Sequence, residues 1–228
     1  DGDSFRISKG PRKGKKARLY GYNTLESYGP VHFWGGFHGY ELYDLAKAGM
    51  KLAREREWVC HSREGSGGYG RMLVDCPALR TEICKQGLAH IFAIGHVPNP
   101  ESLAAQHEAM EAERGIWAKG TPEFIVTSLH SQSEMKNKPG KKAYNRICDT
   151  KTGYATVLEH TATFETCDAW CHGGSCMLYL PFEFRYGKDR PLCMKKGRDN
   201  RLVKGEDGRL MVPPNLGYPL GSRVIDED

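Results

Sequence analysis

The chain has 228 residues, of which 39% are hydrophobic and 27% charged, enough for one large domain or two small ones with a proper core. Its formal net charge of +5 is mild, so it permits a polyanionic partner without requiring one. No run approaches the roughly 20 consecutive apolar residues that a membrane helix needs, which argues against a membrane span.

The first residues, DGDSFRI, resemble the inside of a strand hairpin rather than a signal peptide. We therefore expect that a preceding segment, with any targeting information, has been removed, and that the targeting segment is not present in this chain.

The first half alternates short strands with helices. Strands are predicted over Phe5–Ser8 and Lys16–Tyr22, joined by a basic turn. Apolar residues recur at helical spacing over Glu41–Trp58, which predicts an amphipathic helix. A second strand pair is predicted over Trp58–Arg63 and Arg71–Asp75, around the turn EGSGGYG.

Two further helices carry clear start and stop signals. One begins at Pro77, a residue favoured at the first helical position, and ends at Gly87. The other has Asn99 as its N-cap and Pro100 as its first residue, with acids in the first turn. The short run HIFAI between these helices predicts one more strand.

Together these elements predict an α+β fold, a small β-barrel with three helices packed on it, over residues 1–117. After Trp117 the long periodic segments stop and turn sequences recur every few residues. Residues 118–228 are therefore predicted to form a second region, a loop-rich β extension stapled by cysteines.

Eight cysteines are many for this length, and three of the late ones lie in the run CDAWCHGGSC. Such density predicts disulfide bonds and an oxidising compartment. Zinc is the alternative, but the run lacks the paired C-x2-C knuckles of common structural zinc sites. The spacing leaves the connectivity open, including a pair between the early trio Cys60, Cys76 and Cys84 and the extension.

Four short motifs carry the chemistry, in this order: DGDS from Asp1, RLYGYNTLE from Arg18, YGR from Tyr69 and QGLA from Gln86. Singly, each is more often a turn or a surface ion pair. Together they follow the order and nearly the spacing of the staphylococcal nuclease (thermonuclease) family, which the chain resembles over about residues 1–117.

The resemblance implies a five-stranded OB-like barrel that hydrolyses DNA and/or RNA with Ca2+. Arg18 and Arg71 would bind the phosphate, since a guanidinium stays protonated and its planar fork matches phosphate oxygens. Glu26 would accept a proton from the attacking water or orient it. Asp3 would bind the metal, Ca2+ or another divalent cation, with hard oxygen ligands. Two oxygens of the second motif, the side-chain oxygen of Asn23 and the backbone carbonyl of Thr24, would complete that metal site.

The chain departs from the family pattern at several of these places. Asn23 stands where the family has a second metal-binding aspartate, so the site has one formal negative charge fewer and weaker metal binding is expected. Leu25 replaces a proline before Glu26, and the base-stacking tyrosines of the family correspond to about Ala93 and Gly95. Tyr69 is retained and is expected to contact a phosphate or base.

Two neighbouring segments are candidate contact surfaces. The turn from Gly10 to Lys16 is expected either to bind a nucleic-acid backbone, through Lys13, Lys15 and Lys16, or to be a solvated hairpin turn. The aromatic loop 28–40 is expected to pack against the extension or a protein partner, or to stack on bases.

Two functions follow. The first is a metal-dependent nuclease. The alternative is a thermonuclease-like module that no longer cuts and serves as a nucleic-acid-binding or structural subunit, with a protein partner on loop 28–40 or on the extension. The cysteine content predicts a secreted protein or another oxidising compartment, with an organellar (mitochondrial) location as the alternative.

Overall fold

A computed structural model describes residues 2–137, 140–186, 188–194, 203–204, 210–211 and 224–226. Contacts divide the chain into two units. The first comprises residues 1–25, 44–118 and 151–154, and the second comprises residues 26–43, 119–150 and 155–228.

Short strands and a few helices make up the described part of the chain. In chain order, the strands are β1 (Ser4–Arg6), β2 (Lys16–Leu19), β3 (Tyr22–Asn23), β4 (His32–Trp34), β5 (His61–Ser66), β6 (Met72–Asp75), β7 (His90–Ile91), β8 (Phe124–Ser128), β9 (Ala143–Asp149), β10 (Ala155–His160), β11 (Ala169–His172), β12 (Ser175–Leu178), β13 (Val203–Lys204), β14 (Leu210–Met211) and β15 (Val224–Asp226). The helices are α1 (Gly39–Arg54), α2 (Pro77–Lys85), α3 (Pro100–Glu111) and α4 (Phe182–Arg185). Within these described residues, every helix is too short or too polar to cross a bilayer.

The first unit contains a four-stranded sheet in the order β1-β2-β6-β5. The β1–β2 and β5–β6 pairs are the two predicted hairpins, and β2 and β6 join them in parallel. A separate two-stranded ribbon pairs β3 with β7. The fold is therefore α+β as predicted, but the five-stranded barrel is not confirmed, because no sheet of the described residues closes on itself.

The core of the first unit follows from alternation along β2 and from the inner faces of the helices. Ala17 and Leu19 are buried while Lys16 is exposed, as expected for a strand with one solvated face. They pack with Val74 of β6 and Ile83 of α2 in one buried cluster.

The starts of α2 and α3 agree with the sequence signals, whereas α2 ends at Lys85, before the predicted Gly87. The Asn99 side chain accepts a hydrogen bond from the Ser102 backbone N–H at 2.9 Å, so α3 begins as predicted, and α2 begins at Pro77. The predicted helix over Glu41–Trp58 ends earlier, at Arg54. The Trp58 indole N–H donates to the carbonyl of Ala53 at 3.1 Å and thereby satisfies one carbonyl of the last turn.

The second predicted strand pair is shifted at its first member. The prediction was Trp58–Arg63, whereas β5 covers His61–Ser66 and includes part of the predicted turn. Its register with β6 slips between Arg63 and Ser66, which is an irregularity of the bulge type. The sequence pattern does not reveal this slip, because every residue of β5 is exposed.

The second unit is built largely of strands, with sheets in the orders β10-β9-β8 and β15-β11-β12-β4 and the further pair β13-β14. Its core gathers Trp170, Leu178, Ile147 and Phe33. The aromatic loop 28–40 contributes β4, which pairs with β12, and the rings of Phe33, Trp34 and Phe37 are buried.

Three disulfide bonds are present among the described residues: Cys60–Cys76, Cys167–Cys193 and Cys171–Cys176. They confirm the expectation of disulfides and are consistent with an oxidising compartment. Each joins cysteines of one unit, so the early trio does not pair with the extension. Burial raises the pKa of the Cys84 thiol to about 12, which makes that group an inert core residue.

Candidate functional site

The predicted metal ligand Asp3 is buried just before β1 and is held by the chain around it. The Tyr22 hydroxyl donates to the Gly2 carbonyl at 2.9 Å, and the Gly2 N–H donates to the Thr24 hydroxyl at 3.0 Å. These contacts fix the start of the chain against β3. The Asp3 side chain is thereby held in the protein interior rather than in solvent.

Four donors contact the Asp3 carboxylate. Its Oδ1 accepts from Arg18 Nη1 at 2.6 Å and from Ser4 Oγ at 3.0 Å. Its Oδ2 accepts from the Thr24 backbone N–H at 3.1 Å and from the Thr24 hydroxyl at 3.3 Å. The carboxylate therefore has two hydrogen-bond donors on each oxygen.

Arg18 lies on β2 directly opposite Ser4 of β1, which places its guanidinium beside Asp3. While Nη1 contacts Asp3, Nη2 donates to Oδ1 of Asn23. One guanidinium thus joins the two side chains that the sequence predicted as metal ligands.

Arg71 reaches the same place from the turn before β6. Its Nη1 donates to Ser4 Oγ at 3.1 Å and its Nε donates to the Gly68 carbonyl at 3.1 Å. Because the Ser4 hydroxyl itself donates to Asp3, the two predicted phosphate-binding arginines meet through the Asp3–Ser4 dipeptide. The structure brings together Asp3, Arg18, Asn23, Thr24 and Arg71.

Gly67 allows this approach. An added Cβ at this glycine would lie 2.5 Å from Cβ of Arg18 and 3.3 Å from Cβ of Arg71. The turn passes so close to both arginines that only a residue without a side chain fits.

The predicted substrate contacts lie on the surface of the first unit. Tyr69 is 88% exposed at the turn before β6, and the Arg71 guanidinium carbon lies 5.7 Å from the centre of its ring. The β1–β2 hairpin exposes Lys13, Lys15 and Lys16. Both predictions for this turn, a nucleic-acid contact and a solvated turn, require this exposure.

A groove of about 930 Å³ lies along β1. Its lining includes Ser4, the residue that contacts both Asp3 and Arg71. Its floor is apolar, with Leu19, Val74 and Leu79 among the lining residues. Five cationic side chains line it as well: Arg6, Lys9, Arg12, Arg54 and Arg56. The acid among its lining residues, Glu57, forms an exposed ion pair with Lys9 at 3.2 Å, so the groove has a positive character.

Glu26, the predicted general base, follows Thr24 by two residues in the chain but belongs to the second unit. Its backbone N–H donates to Nε2 of His32 at 3.1 Å. The pKa of Tyr28 is raised, first by burial and then by the charge of Glu26. The predicted role of Glu26 therefore depends on its place in the motif RLYGYNTLE.

Sequence reasoning missed Ser4 as the bridge between the arginines and missed His90 altogether. His90 lies opposite Asn23 in the β3–β7 ribbon, so the two side chains project from the same face. Its ring Nδ1 bonds the Ile91 carbonyl at 3.0 Å, whereas its buried Nε2 has no hydrogen-bond partner among the described residues.

The pKa of His90 is lowered to about 4, mainly because burial penalises the charged ring. The hydrogen bond to Ile91 and the charge of Asp3 oppose this effect, and the charge of Arg18 adds to it. At neutral pH the ring therefore contributes no charge to the cluster.

The donor set of this cluster differs from what the Ca2+ ion implied by the resemblance would need. Calcium takes 6–8 oxygen ligands, usually with several carboxylates. The Asp3 carboxylate already accepts four hydrogen bonds, and Asn23 Oδ1 accepts one from Arg18. Among the described residues there is also no group of three or more His, Cys, Asp or Glu side chains placed to hold a metal ion. This arrangement does not fit calcium.

No protein-family model matches the chain, and no curated protein matches it in sequence. The resemblance to the thermonuclease family therefore rests on the four motifs, and its implications for function are proposals.

Proposed function

We propose that residues 1–117 form a thermonuclease-like, OB-type domain and that the protein hydrolyses phosphodiester bonds of DNA and/or RNA. The observation that supports this most directly is the meeting of Arg18 and Arg71 at the Asp3–Ser4 dipeptide. Two guanidinium groups beside one carboxylate leave one positive charge, which suits a phosphodiester with its single negative charge.

In the proposed reaction the two arginines bind the phosphate oxygens and stabilise the charge that develops there. Glu26 takes a proton from the attacking water, a new P–O bond forms, and the bond to the leaving oxygen breaks. The leaving oxygen takes up a proton from solvent.

The lysines of the β1–β2 hairpin and the cationic groove would hold the nucleic-acid backbone on either side of the cleaved bond. Lys13, Lys15 and Lys16 are exposed, as phosphate contacts require, and Tyr69 offers an exposed ring on which a base can stack. We propose a secreted protein, for which the three disulfides are the support, with an organellar location as the alternative.

A second candidate is a module that binds nucleic acid without cutting it. The observation that favours it is that both terminal nitrogens of Arg18 already donate, one to Asp3 and the other to Asn23. These two contacts use two of the five N–H donors of the guanidinium, so fewer are left to stabilise a transition state, whereas Arg71 and the lysines can still bind a phosphate backbone.

The test is to measure cleavage and binding side by side on labelled single-stranded DNA and RNA. Glu26→Gln should lower the cleavage rate by about 10²–10⁴-fold, the usual contribution of a general base, and leave binding unchanged. Glu111→Gln, at the exposed end of α3, is the matched control and should cut at the parental rate. Binding without cleavage by the parent protein would select the second candidate, and equal cleavage by the Glu26 variant would remove Glu26 from the mechanism.

A further inference from the structure

The polar cluster around Asp3 consists of Asp3, Ser4, Arg18, Asn23, Thr24 and Arg71. It already contains a cation at the predicted metal site, the guanidinium of Arg18. The Arg18 guanidinium bridges Asp3 Oδ1, at 2.6 Å, and Asn23 Oδ1. These are the two side-chain oxygens that a divalent cation would have to share. An ion could take both of them only by displacing the guanidinium.

The Thr24 N–H and the hydroxyls of Thr24 and Ser4 act as donors to Asp3 rather than as metal ligands. The Thr24 N–H and hydroxyl both point at Asp3 Oδ2, and the lone pairs of that hydroxyl already accept from the Gly2 N–H at 3.0 Å. The Ser4 hydroxyl donates to Asp3 and accepts from Arg71. The Asp3 carboxylate and the hydroxyls of Ser4 and Thr24 therefore find their hydrogen-bond partners within the cluster.

The charges lead to the same conclusion. Asp3 supplies one negative charge, Asn23 supplies none, and the Arg18 guanidinium balances Asp3. Calcium affinity depends on the number of charged ligands, and in this cluster no charge is left for the ion.

We infer that the Arg18 guanidinium takes the place of a divalent cation in this chain, so that the site binds no Ca2+ and engages a phosphodiester without one. The second half of this statement rests on the proposed function. The first half does not, because it concerns only Asp3, Arg18 and Asn23.

The test is thermal unfolding of the full chain in excess EDTA and in saturating Ca2+ or Mn2+, with calorimetric titration of each ion. For the parent protein we expect the same melting temperature in every condition and no binding heat. Asn23→Asp adds a second carboxylate beside Asp3, so the two charged ligands favour a divalent ion over the single charge of Arg18, and Ca2+ should displace the guanidinium and bind, with a rise in melting temperature of about 5 °C at saturation. Asn137→Asp adds the same charge at an exposed position of the second unit and should show no rise.

Arg18→Met removes the resident cation, and its melting temperature should fall in EDTA and recover in part with Ca2+. If that variant does not fold, the comparison of Asn23→Asp with its control still tests the inference.

A Ca2+-dependent rise in the melting temperature of the parent protein would overturn the inference. Cleavage that occurs only with Ca2+ would also overturn it while leaving the proposed function intact. A parent protein that is indifferent to Ca2+ but neither binds nor cuts nucleic acid would defeat the proposed function and the phosphodiester half of the inference, and leave Arg18 as the resident cation.

Discussion

Asp3 and Arg18 form a largely buried ion pair, with 2.6 Å between Oδ1 and Nη1 and side-chain exposures of 2% and 20%. Strand register makes this pairing possible, because Arg18 lies opposite Ser4, the residue next to Asp3. The pair also orders Ser4 and, through it, Arg71. Local stability and the proposed phosphate site therefore depend on the same two residues.

Arg18→Met should lower the free energy of unfolding by about 3 kcal/mol, because a buried carboxylate without its partner is costly. Adding Asp3→Asn to that variant should restore much of the loss. Urea denaturation measures both. The control is Lys9→Met, which breaks the exposed Lys9–Glu57 pair at 3.2 Å and should change stability by less than about 1 kcal/mol. Equal losses for the two single variants would show that the Asp3–Arg18 pair is no stronger than a surface contact.

Gly67→Ala should disturb both arginines at once, since its Cβ would lie 2.5 Å from Cβ of Arg18. We expect a stability loss of about 1–3 kcal/mol, typical of overpacking, together with weaker oligonucleotide binding. Gly36→Ala is the matched control, because a Cβ there meets its nearest neighbour, Lys119 Cβ, at an ordinary 3.6 Å. An unchanged affinity in the Gly67 variant would contradict the role of this turn in placing the arginines.

Stability should fall as the pH decreases from about 6.5 to about 4. In the unfolded chain His90 takes up a proton near its ordinary pKa of 6.5, whereas burial lowers its folded pKa to about 4. The unfolded state therefore binds more protons over this range, and the contribution of His90, about 3 kcal/mol, is complete above pH 6.5 and lost near pH 4.

This dependence can be measured as the urea midpoint against pH. His90→Gln should flatten the curve, and His61→Gln, on the exposed strand β5, should not. If the His90 variant keeps the parental slope, another group dominates the pH dependence.

The hairpin lysines should determine how oligonucleotide binding depends on salt. Replacing Lys13, Lys15 and Lys16 by alanine should reduce the slope of log K against log salt by about 2, because each phosphate contact on a single strand contributes about 0.7. Fluorescence anisotropy over a salt series measures this slope. The same charge change at three exposed lysines elsewhere, Lys85, Lys136 and Lys141, should leave it unaltered. A parental slope in the hairpin variant would identify the lysines as part of a solvated turn.

Helix starts and tight turns could be predicted from the sequence, because residues within a few positions of them determine them. Pro77 and the Asn99 cap identified the starts of α2 and α3, and the basic turn joined β1 to β2. The end of α1 was missed because the Trp58 indole satisfies the Ala53 carbonyl, a contact that no periodicity encodes. The order of the motifs predicted Asp3, Arg18 and Arg71 as site residues, and the structure places them together.

What could not be predicted depends on distant residues. The bridge from Arg18 to Asp3 and Asn23 forms only when β1, β2 and β3 are already in position. The burial of the aromatic loop 28–40 depends on pairing between β4 and β12, which lie far apart in the chain. Disulfide connectivity likewise follows from the folded positions of the cysteines and not from their number.

The most direct test of the proposed function is the cleavage rate of labelled single-stranded DNA and RNA by the parent protein, Arg71→Met and Arg63→Met. Arg63 is the matched control, a half-exposed arginine that pairs with Asp75 at 3.0 Å and is not assigned to the site. We predict cleavage by the parent protein and by the Arg63 variant, and a loss of at least about 100-fold for the Arg71 variant. A folded parent protein that neither cuts nor binds either nucleic acid, or an Arg71 variant that cuts at the parental rate, would contradict the proposed function.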